Sequence, residues 1–273
     1  MLGFRRPSAL ATSNFVQVDR LFLPQELVDN IIDYLCNSKS SLKSCSLTCS
    51  SMVQRSSMHL LRKIAVPTSR LSRFLSALQT SNRLRSCIVA FAISDDGHSL
   101  TPLAIHSAIF SLPSLRILHF SGSFSSFYSS SEALPPRPSR RRLSSLEFTS
   151  LHLDLMECAL EIFDFVETLA VCGSYIGGSI NDPRMPGRAG TLTLSIDPSF
   201  LPAMHHVLQP SYLTNVLLDL RSRPALNVHF LGQFLQTYGK HLQELTVILP
   251  SHGMRRPVIP SKRFSLPTAL LAI

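Results

Sequence analysis

The residue types that perform most protein chemistry are scattered along this chain of 273 residues. Its six cysteines stand at positions 36, 45, 49, 87, 158 and 172, and they form no CxxC pair and no cluster with histidine. Its ten histidines lack cysteine or carboxylate partners at the spacing of a metal site or a catalytic triad, and neither GxSxG nor HExxH occurs. We therefore predict no catalytic residue, no metal and no cofactor, and we expect that the protein is not an enzyme.

Charge and hydropathy argue against a nucleic-acid-binding protein and against a membrane protein. The 26 Lys and Arg residues exceed the 17 Asp and Glu residues, but the resulting net charge of +9 is spread along the chain. The arginine run at 140–142 lies in a segment rich in serine and proline, at 121–142, which is typical of an exposed, solvated loop. No apolar stretch approaches the roughly 18 residues of a membrane span, and the first 20 residues lack a run like that of a signal peptide. We expect a reduced protein of the cytoplasm or nucleus that binds neither nucleic acid nor membrane.

The elements of the chain change in character along its length. With 45% hydrophobic and 16% charged residues, the chain has enough apolar area to fold around a core. Dense helical periodicity runs from Leu23 to Leu61, and a different rhythm of short β-like runs begins after Pro67. We predict a disordered tail at 1–20, a helical domain at 21–66, a repeat domain at 67–250 and an irregular tail at 251–273.

The helical domain starts at Pro24, whose fixed φ suits a first helical turn, and Glu26 follows where a carboxylate favours the helix dipole. Ser56 is expected to cap a third short helix. Two apolar stripes precede it. The first comprises Leu27, Val28, Ile31, Ile32 and Leu35, and the second comprises Leu42, Cys45, Cys49 and Met52. Helices this short cannot bury every apolar face among themselves, so we expect a partner or the next domain to cover some of them.

This domain also carries an ordered motif, with LPQEL at 23–27, IIDYL at 31–35 and LKSCSLTC at 42–49. Over residues 23–66 the sequence resembles the F-box, and most of all the version found in large fungal families. The resemblance implies docking on the Skp-family linker subunit of cullin-based ubiquitin ligases. It places these residues at or beneath the linker contact: Leu23, Pro24, Leu27, Ile31, Leu35, Leu42, Cys45 and Leu47. Thr48 and Met52 stand where the family usually has valine and tryptophan. The alternative, which periodicity alone favours, is an ordinary helical bundle.

An apolar-x-x-apolar-x-apolar pattern recurs seven times in the second domain, in steps of 23 to 31 residues. The pattern begins at Leu84, Leu115, Leu143, Val166, Ala189, Leu213 and Leu242. Helical stripes lie between several of the copies, and a strand–helix–strand order predicts parallel pairing. The step is close to the 20–29 residues of leucine-rich repeats, and the domain resembles an irregular member of that class. We therefore predict an α/β solenoid with one parallel sheet, whose strands lie at about 87–92, 117–121, 146–150, 169–172, 192–196, 216–220 and 245–249.

Together the two resemblances imply a substrate-receptor adaptor of a Skp–cullin–F-box ubiquitin ligase, which holds a protein target near the ubiquitin-carrying enzyme. The alternative is a leucine-rich-repeat interaction scaffold that acts outside any ligase. The target is expected on the sheet face that the apolar pattern leaves outward, because alternate strand residues point to opposite faces. The predicted target residues are His119, Glu147, Thr193, Asn215, Asp219 and Glu244. Three of these are carboxylates in a basic chain, which favours a target segment that carries Lys or Arg.

Overall fold

The computed structural model describes most of the chain between Leu23 and Ser265. The described residues are 23–124, 127, 141–173, 175–177, 186–195, 201, 204–221, 228–249 and 263–265. Contacts divide the chain into two compact units, Met1–Leu60 and Leu61–Ile273. The predicted tail at 1–20 lies outside the described residues, as does most of the predicted tail at 251–273.

The first unit contains three helices, α1 (Gln25–Tyr34), α2 (Lys39–Thr48) and α3 (Ser50–Leu61). The Ser38 side chain caps α2 by accepting a hydrogen bond from the backbone N–H of Ser41 at 3.4 Å. Cys49 has extended backbone angles and separates α2 from α3. The predicted second stripe, which ran through Cys49 to Met52, is therefore wrong as a single helical face.

Val28, Ile32 and Leu42 form the buried centre of this unit. Leu35, Met52 and Leu60 pack around them and are partly buried. Met52 therefore fills part of the core at the position where the resembled family usually has tryptophan, as its flexible side chain allows.

Ser56 does not cap a helix, because it lies in the middle of α3 and is fully buried. Its hydroxyl has no hydrogen-bond partner among the described residues. Sequence alone favoured a cap because serine competes well for backbone N–H groups at helix starts.

Polar contacts fix α1 against α3 at both ends. Asp33 accepts two hydrogen bonds from the Arg55 guanidinium, at 2.6 and 2.5 Å, and its Oδ1 lies 2.7 Å from Nε2 of His59. Near the start of α1, the amide of Gln25 donates to the backbone carbonyl of Ser51 at 3.2 Å. We call the first group the Asp33 clamp.

The second unit is an α/β structure around a large sheet. Its strands are β1 (Lys63–Pro67), β2 (Ala90–Ser94), β3 (Ile117–Ser121), β4 (Arg142–Phe148), β5 (Leu151–His152), β6 (Phe165–Cys172), β7 (Tyr175–Gly177), β8 (Ala189–Ser195), β9 (Asn215–Asp219), β10 (Glu244–Ile248) and β11 (Arg263–Ser265). Among the described strands, eight pair in parallel in the order β1-β2-β3-β4-β6-β8-β9-β10, and β11 adds antiparallel to β10. β5 and β7 form a separate short parallel pair.

Helices connect several successive strands of the sheet. They are α4 (Leu71–Thr80), α5 (Asn82–Cys87), α6 (Pro102–Phe110), α7 (Leu153–Ile162), α8 (Met204–Val207) and α9 (Val228–Tyr238). α6 shows why such a helix starts where it does: Thr101 accepts a hydrogen bond from the Ala104 N–H, and Pro102 occupies the first turn. No helix in the described part of the chain is both long and apolar enough to cross a membrane.

Two ladders of apolar side chains run across the sheet and face the helices. Strand register aligns the first ladder as Phe91, Leu118, Leu146, Leu169, Leu192, Val216 and Leu245. The second ladder runs Ile93, Phe120, Phe148, Val171, Leu194 and Leu218. All thirteen side chains are buried, and Phe120 and Phe148 stack at 5.2 Å between ring centroids. Burial of each such side chain contributes roughly 1.5–3 kcal/mol.

A repeated bulge explains the three-residue step in the apolar pattern, since strict alternation cannot bury two residues three apart. The carbonyl of Arg62 accepts hydrogen bonds from both Val89 and Ala90, the pair that separates Ile88 from Phe91. The same pair of hydrogen bonds to one carbonyl recurs at later strands. The Val89 carbonyl accepts from the N–H groups of Arg116 and Ile117, and the Arg116 carbonyl accepts from those of Ser144 and Ser145. The Thr214 carbonyl accepts from those of Gln243 and Glu244.

All seven predicted strands occur, and their parallel pairing is confirmed. The first was placed too early, because Leu84 and Cys87 fit the pattern but belong to α5. The pattern in fact starts at Ile88, and a further copy at Leu61 supplies β1. The division between the units falls at Leu60/Leu61 rather than at the predicted 66/67, since Lys63–Pro67 pairs with β2.

The described residues of the segment at 121–142 differ from the exposed loop that we predicted. Ser121 and Arg142 belong to strands, while Phe124 and Phe127 are 2% and 5% exposed and join the core. Asp95 holds this turn by accepting hydrogen bonds from the Ser123 hydroxyl and from the Phe124 N–H at 2.6 Å. The remaining residues, 125–126 and 128–140, lie outside the described part.

Candidate functional site

The apolar residues of α1 form two stripes rather than one. Val28 and Ile32 point into the core of the first unit. Leu27 and Ile31, which are four residues apart on a neighbouring face, are 49% and 50% exposed. Leu23 precedes them and is 56% exposed. The first unit thus presents an apolar face that its own fold does not cover, a feature typical of an interaction site.

This exposed face is concave. Leu23, Leu27, Asn30, Ile31, Tyr34 and Leu35 line a groove with a volume of about 390 Å³. We call it the α1 groove. The Asp33 clamp and the Gln25 contact lie on other faces of the same helix, so polar contacts orient α1 while its apolar groove stays open.

The predicted linker residues fall into three groups. Leu23, Leu27, Ile31 and Leu35 line the α1 groove. Pro24 is exposed immediately before α1, and Leu47 is 86% exposed on α2. Leu42 is buried in the core, and Cys45 is half-buried, so these two are placed to support the face rather than to form it.

Two residues that line the groove were not predicted. Tyr34 is 89% exposed, and Asn30 is the polar member of the lining. Tyr34 lies seven residues after Leu27, and that spacing was the signal that would have placed it on the same face. The sequence pattern merged both stripes because Leu27 and Val28 are adjacent, as are Ile31 and Ile32.

The second candidate site is the sheet face opposite the apolar ladders, which we call the outer face. Its central row is Ala92, His119, Glu147, Ala170, Thr193, Leu217 and Thr246. The register places His119 directly beside Glu147, and Thr193 lies two strands further. These side chains are half-buried and mostly polar, in contrast to the ladder on the other face.

The three predicted carboxylates of this face do not form one cluster. Glu147 is three strand spacings from Asp219, about 14 Å. Glu244 pairs in register with Asn215, four residues and about 13 Å along β9 from Asp219. The structure therefore distributes the negative charge across the face.

The surroundings of these carboxylates also differ. Asp219 forms a bidentate ion pair with Arg221, with Nη2–Oδ2 at 2.5 Å, and this hydrogen bonding lowers the pKa of Asp219. Glu147 accepts a hydrogen bond from the Ser145 hydroxyl at 2.9 Å, and Glu244 accepts one from Thr246 at 3.5 Å. Burial first, and then the nearby charges of Glu147 and Asp219, raise the pKa of the Cys172 thiol. A Lys or Arg of a partner would find Glu147 and Glu244 more open to pairing than Asp219.

No group of three or more His, Cys, Asp or Glu side chains in the described ranges is arranged to hold a metal ion. The buried histidines are instead packing residues, because the His106 ring packs at a tilt against Phe110, with 4.1 Å between ring centroids, and His152 meets Phe127 edge-on at 5.7 Å. Burial lowers the pKa of both histidines, which favours their neutral form.

No protein-family model, curated protein or solved structure matches this chain.

Proposed function

We propose that this protein is a substrate-receptor adaptor of a Skp–cullin–F-box ubiquitin ligase. The first unit would bind the Skp-family linker through the α1 groove, and the second unit would hold the target. The chain itself would perform no chemistry. Its mechanism is tethering, which raises the effective concentration of target lysines at the ubiquitin-carrying enzyme.

The observation that carries this proposal is the exposed apolar face of α1, in the segment that resembles the F-box. A half-exposed Leu27 and Ile31 on a helix fixed by the Asp33 clamp make a pre-ordered docking surface, so little conformational entropy is lost on binding. The groove has almost no charge of its own, which suits an apolar side chain from a partner.

The second unit supports the target-holding half of the proposal. Its strands follow chain order, and the pattern copies, the bulges and the parallel register agree with a leucine-rich-repeat solenoid. The outer face, with Glu147 and Glu244 open to pairing, is proposed to contact a target segment that carries Lys or Arg.

Capture of the linker tests the proposal. The full chain, expressed in cells with an affinity tag, should co-purify a Skp-family linker and a cullin. Ile31→Asp should lower linker recovery at least about tenfold, because a charge that water solvates in the free protein would be buried unpaired in the complex.

Leu103→Asp is the matched control, since Leu103 is also 50% exposed but lies on α6 of the second unit. This variant should recover the linker as the wild type does. Normal linker recovery by a folded Ile31→Asp protein would remove the F-box assignment. Target recovery without any linker would favour the interaction scaffold outside a ligase.

A further inference from the structure

An arginine-rich edge lies where the strands of the central sheet begin. Arg116, Arg142 and Arg188 are exposed and stand at or just before the starts of β3, β4 and β8. We call these residues, with Phe165 and Tyr212, the amino edge. Glu167 on β6 is an exposed carboxylate beside them, and Asp164 before β6 is half-buried. Three exposed arginines against one exposed glutamate leave the edge positively charged.

Two of these arginines are held by aromatic rings. The Arg142 guanidinium lies over the Phe165 ring at 5.9 Å, and that of Arg188 lies over the Tyr212 ring at 4.8 Å. The two rings are 6.4 Å apart, and the strand that Arg188 precedes lies between theirs in the sheet order, so the four side chains form one row across four neighbouring strands. Arg188 also donates from Nε to the side-chain oxygen of Gln209 at 3.3 Å.

Gly190 leaves space for the Phe165 ring. A Cβ at Gly190 would come within 3.1 Å of the Phe165 ring and 3.3 Å of the Glu167 carbonyl. Gly190 belongs to β8, which lies between the strand of Phe165 and the strand that follows Tyr212. Glycine thus lets the Phe165 ring cross β8 and reach Tyr212.

Neither Arg142 nor Arg188 forms an ion pair with a carboxylate in the described part of the chain. Stacked arginines keep their remaining N–H groups free to bind a planar anion in a bidentate manner. β4 and β8 are two strand spacings apart, about 10 Å, which equals about three residues of extended chain. Side chains two or four residues apart lie on the same side of an extended segment, about 7 or 13 Å apart, so acidic residues at these spacings would bracket the distance between the two strands.

We propose that the amino edge binds an extended acidic segment of a partner protein, with Asp or Glu carboxylates paired to Arg142 and Arg188. An arginine lies over each ring and Phe165 is half-buried, which leaves less ring surface for a nucleic-acid base to stack on than a free aromatic platform would offer. Glu147 lies five residues into β4 and would repel a long polyanion that crossed the sheet, whereas a short segment at the starts of β4 and β8 stays clear of it.

The test uses the full chain and a fluorescein-labelled oligoglutamate peptide of about eight residues, with binding followed by anisotropy at low salt. Arg142→Gln combined with Arg188→Gln should weaken binding by roughly tenfold or more, because two charge-assisted contacts are lost. The matched control is Arg70→Gln combined with Arg73→Gln, which removes the same charge from exposed positions at the start of α4 and should leave affinity unchanged. Arg142→Lys with Arg188→Lys should give an intermediate loss, and this pair carries the test if the glutamine pair does not fold.

The absence of saturable peptide binding would overturn the proposal. Equal weakening by both glutamine pairs would also overturn it, since net charge alone would then explain binding. A single-stranded oligonucleotide of equal charge that binds more tightly than the peptide would assign the edge to nucleic acid instead. The assay contains no linker protein, so its result is independent of the ligase proposal.

Discussion

Cys49 stands out among the cysteines because it sits at the start of a helix and is exposed. Its sulfur lies 3.0 Å from the Ser51 hydroxyl, and this contact, together with the backbone N–H of Met52, lowers the pKa of the thiol. Cys158 is buried, and the pKa of Cys172 is raised by burial and nearby carboxylates. Cys49 and Cys172 are both exposed, so these two thiols differ in thiolate character rather than in accessibility.

We expect Cys49 to react faster with iodoacetamide at about pH 7 than Cys172, since only the thiolate is the nucleophile. Mass spectrometry of the modified peptides would measure both rates in one sample. Ser51→Ala should slow the reaction at Cys49 and leave Cys172 unchanged. Equal rates at the two cysteines, or no effect of Ser51→Ala, would contradict the prediction.

Single residues also mark the limit of what the sequence could predict. The groove residues Leu27 and Ile31 followed from helical spacing, but their exposure did not, because the pattern cannot show which of two adjacent stripes meets the core. The amino edge was missed altogether. Its four stacked residues are up to 70 positions apart and meet only through the strand register of β4, β6, β8 and β9.

At the scale of elements, the Asp33 clamp determines how α1 sits on α3. Its hydrogen bonds with Arg55, and then with His59, hold the pKa of Asp33 well below its usual range. The pair was not predictable from spacing, since 22 residues separate Asp33 from Arg55 and they belong to different helices. The Asp33 and Arg55 side chains remain more than a third exposed, so water and salt weaken their attraction.

Asp33→Asn should destabilise the packing of α1 on α3 by about 1 kcal/mol at neutral pH, after allowance for that exposure. Hydrogen exchange of the α1 and α3 amides would measure the loss. Asp29→Asn removes the same charge from a neighbouring turn of α1. Its carboxylate accepts a hydrogen bond from Gln25 of its own helix and acts on Arg55 through charge, without a hydrogen bond to it among the described residues, so this variant should have a smaller effect.

The same carboxylate gives the first unit an acid-sensitive stability. Because the folded-state pKa of Asp33 lies below its unfolded value of about 3.9, the clamp stabilises fully above that value and is lost as pH falls further. Asp33→Asn should therefore make the free energy of unfolding depend less on pH below about 3.9. If the free energy of unfolding fell equally with pH in the wild type and the variant, the clamp would contribute nothing to stability.

At the scale of the whole molecule, the repeat of the second unit was readable because one short pattern serves three purposes. It supplies a buried residue before each strand, the bulge that follows that residue and the two buried ladders. The sheet was therefore predictable, whereas its first strand was not. Ile64 and Val66 fit the same pattern, but the F-box resemblance had already assigned them to the first unit.

The boundary between the units can be tested with two fragments, one that begins at Leu61 and one that begins at Thr68. The first keeps β1, whose Ile64 and Val66 extend the ladders beside Phe91 and Ile93. The second leaves β2 as an unprotected sheet edge and removes both side chains, which should lower the free energy of unfolding by about 2–4 kcal/mol and promote aggregation. Chemical denaturation followed by far-UV circular dichroism would compare the two. Equal stability would place the true start of the repeat unit after Pro67, as the sequence alone suggested, and would show that β1 is an accessory strand.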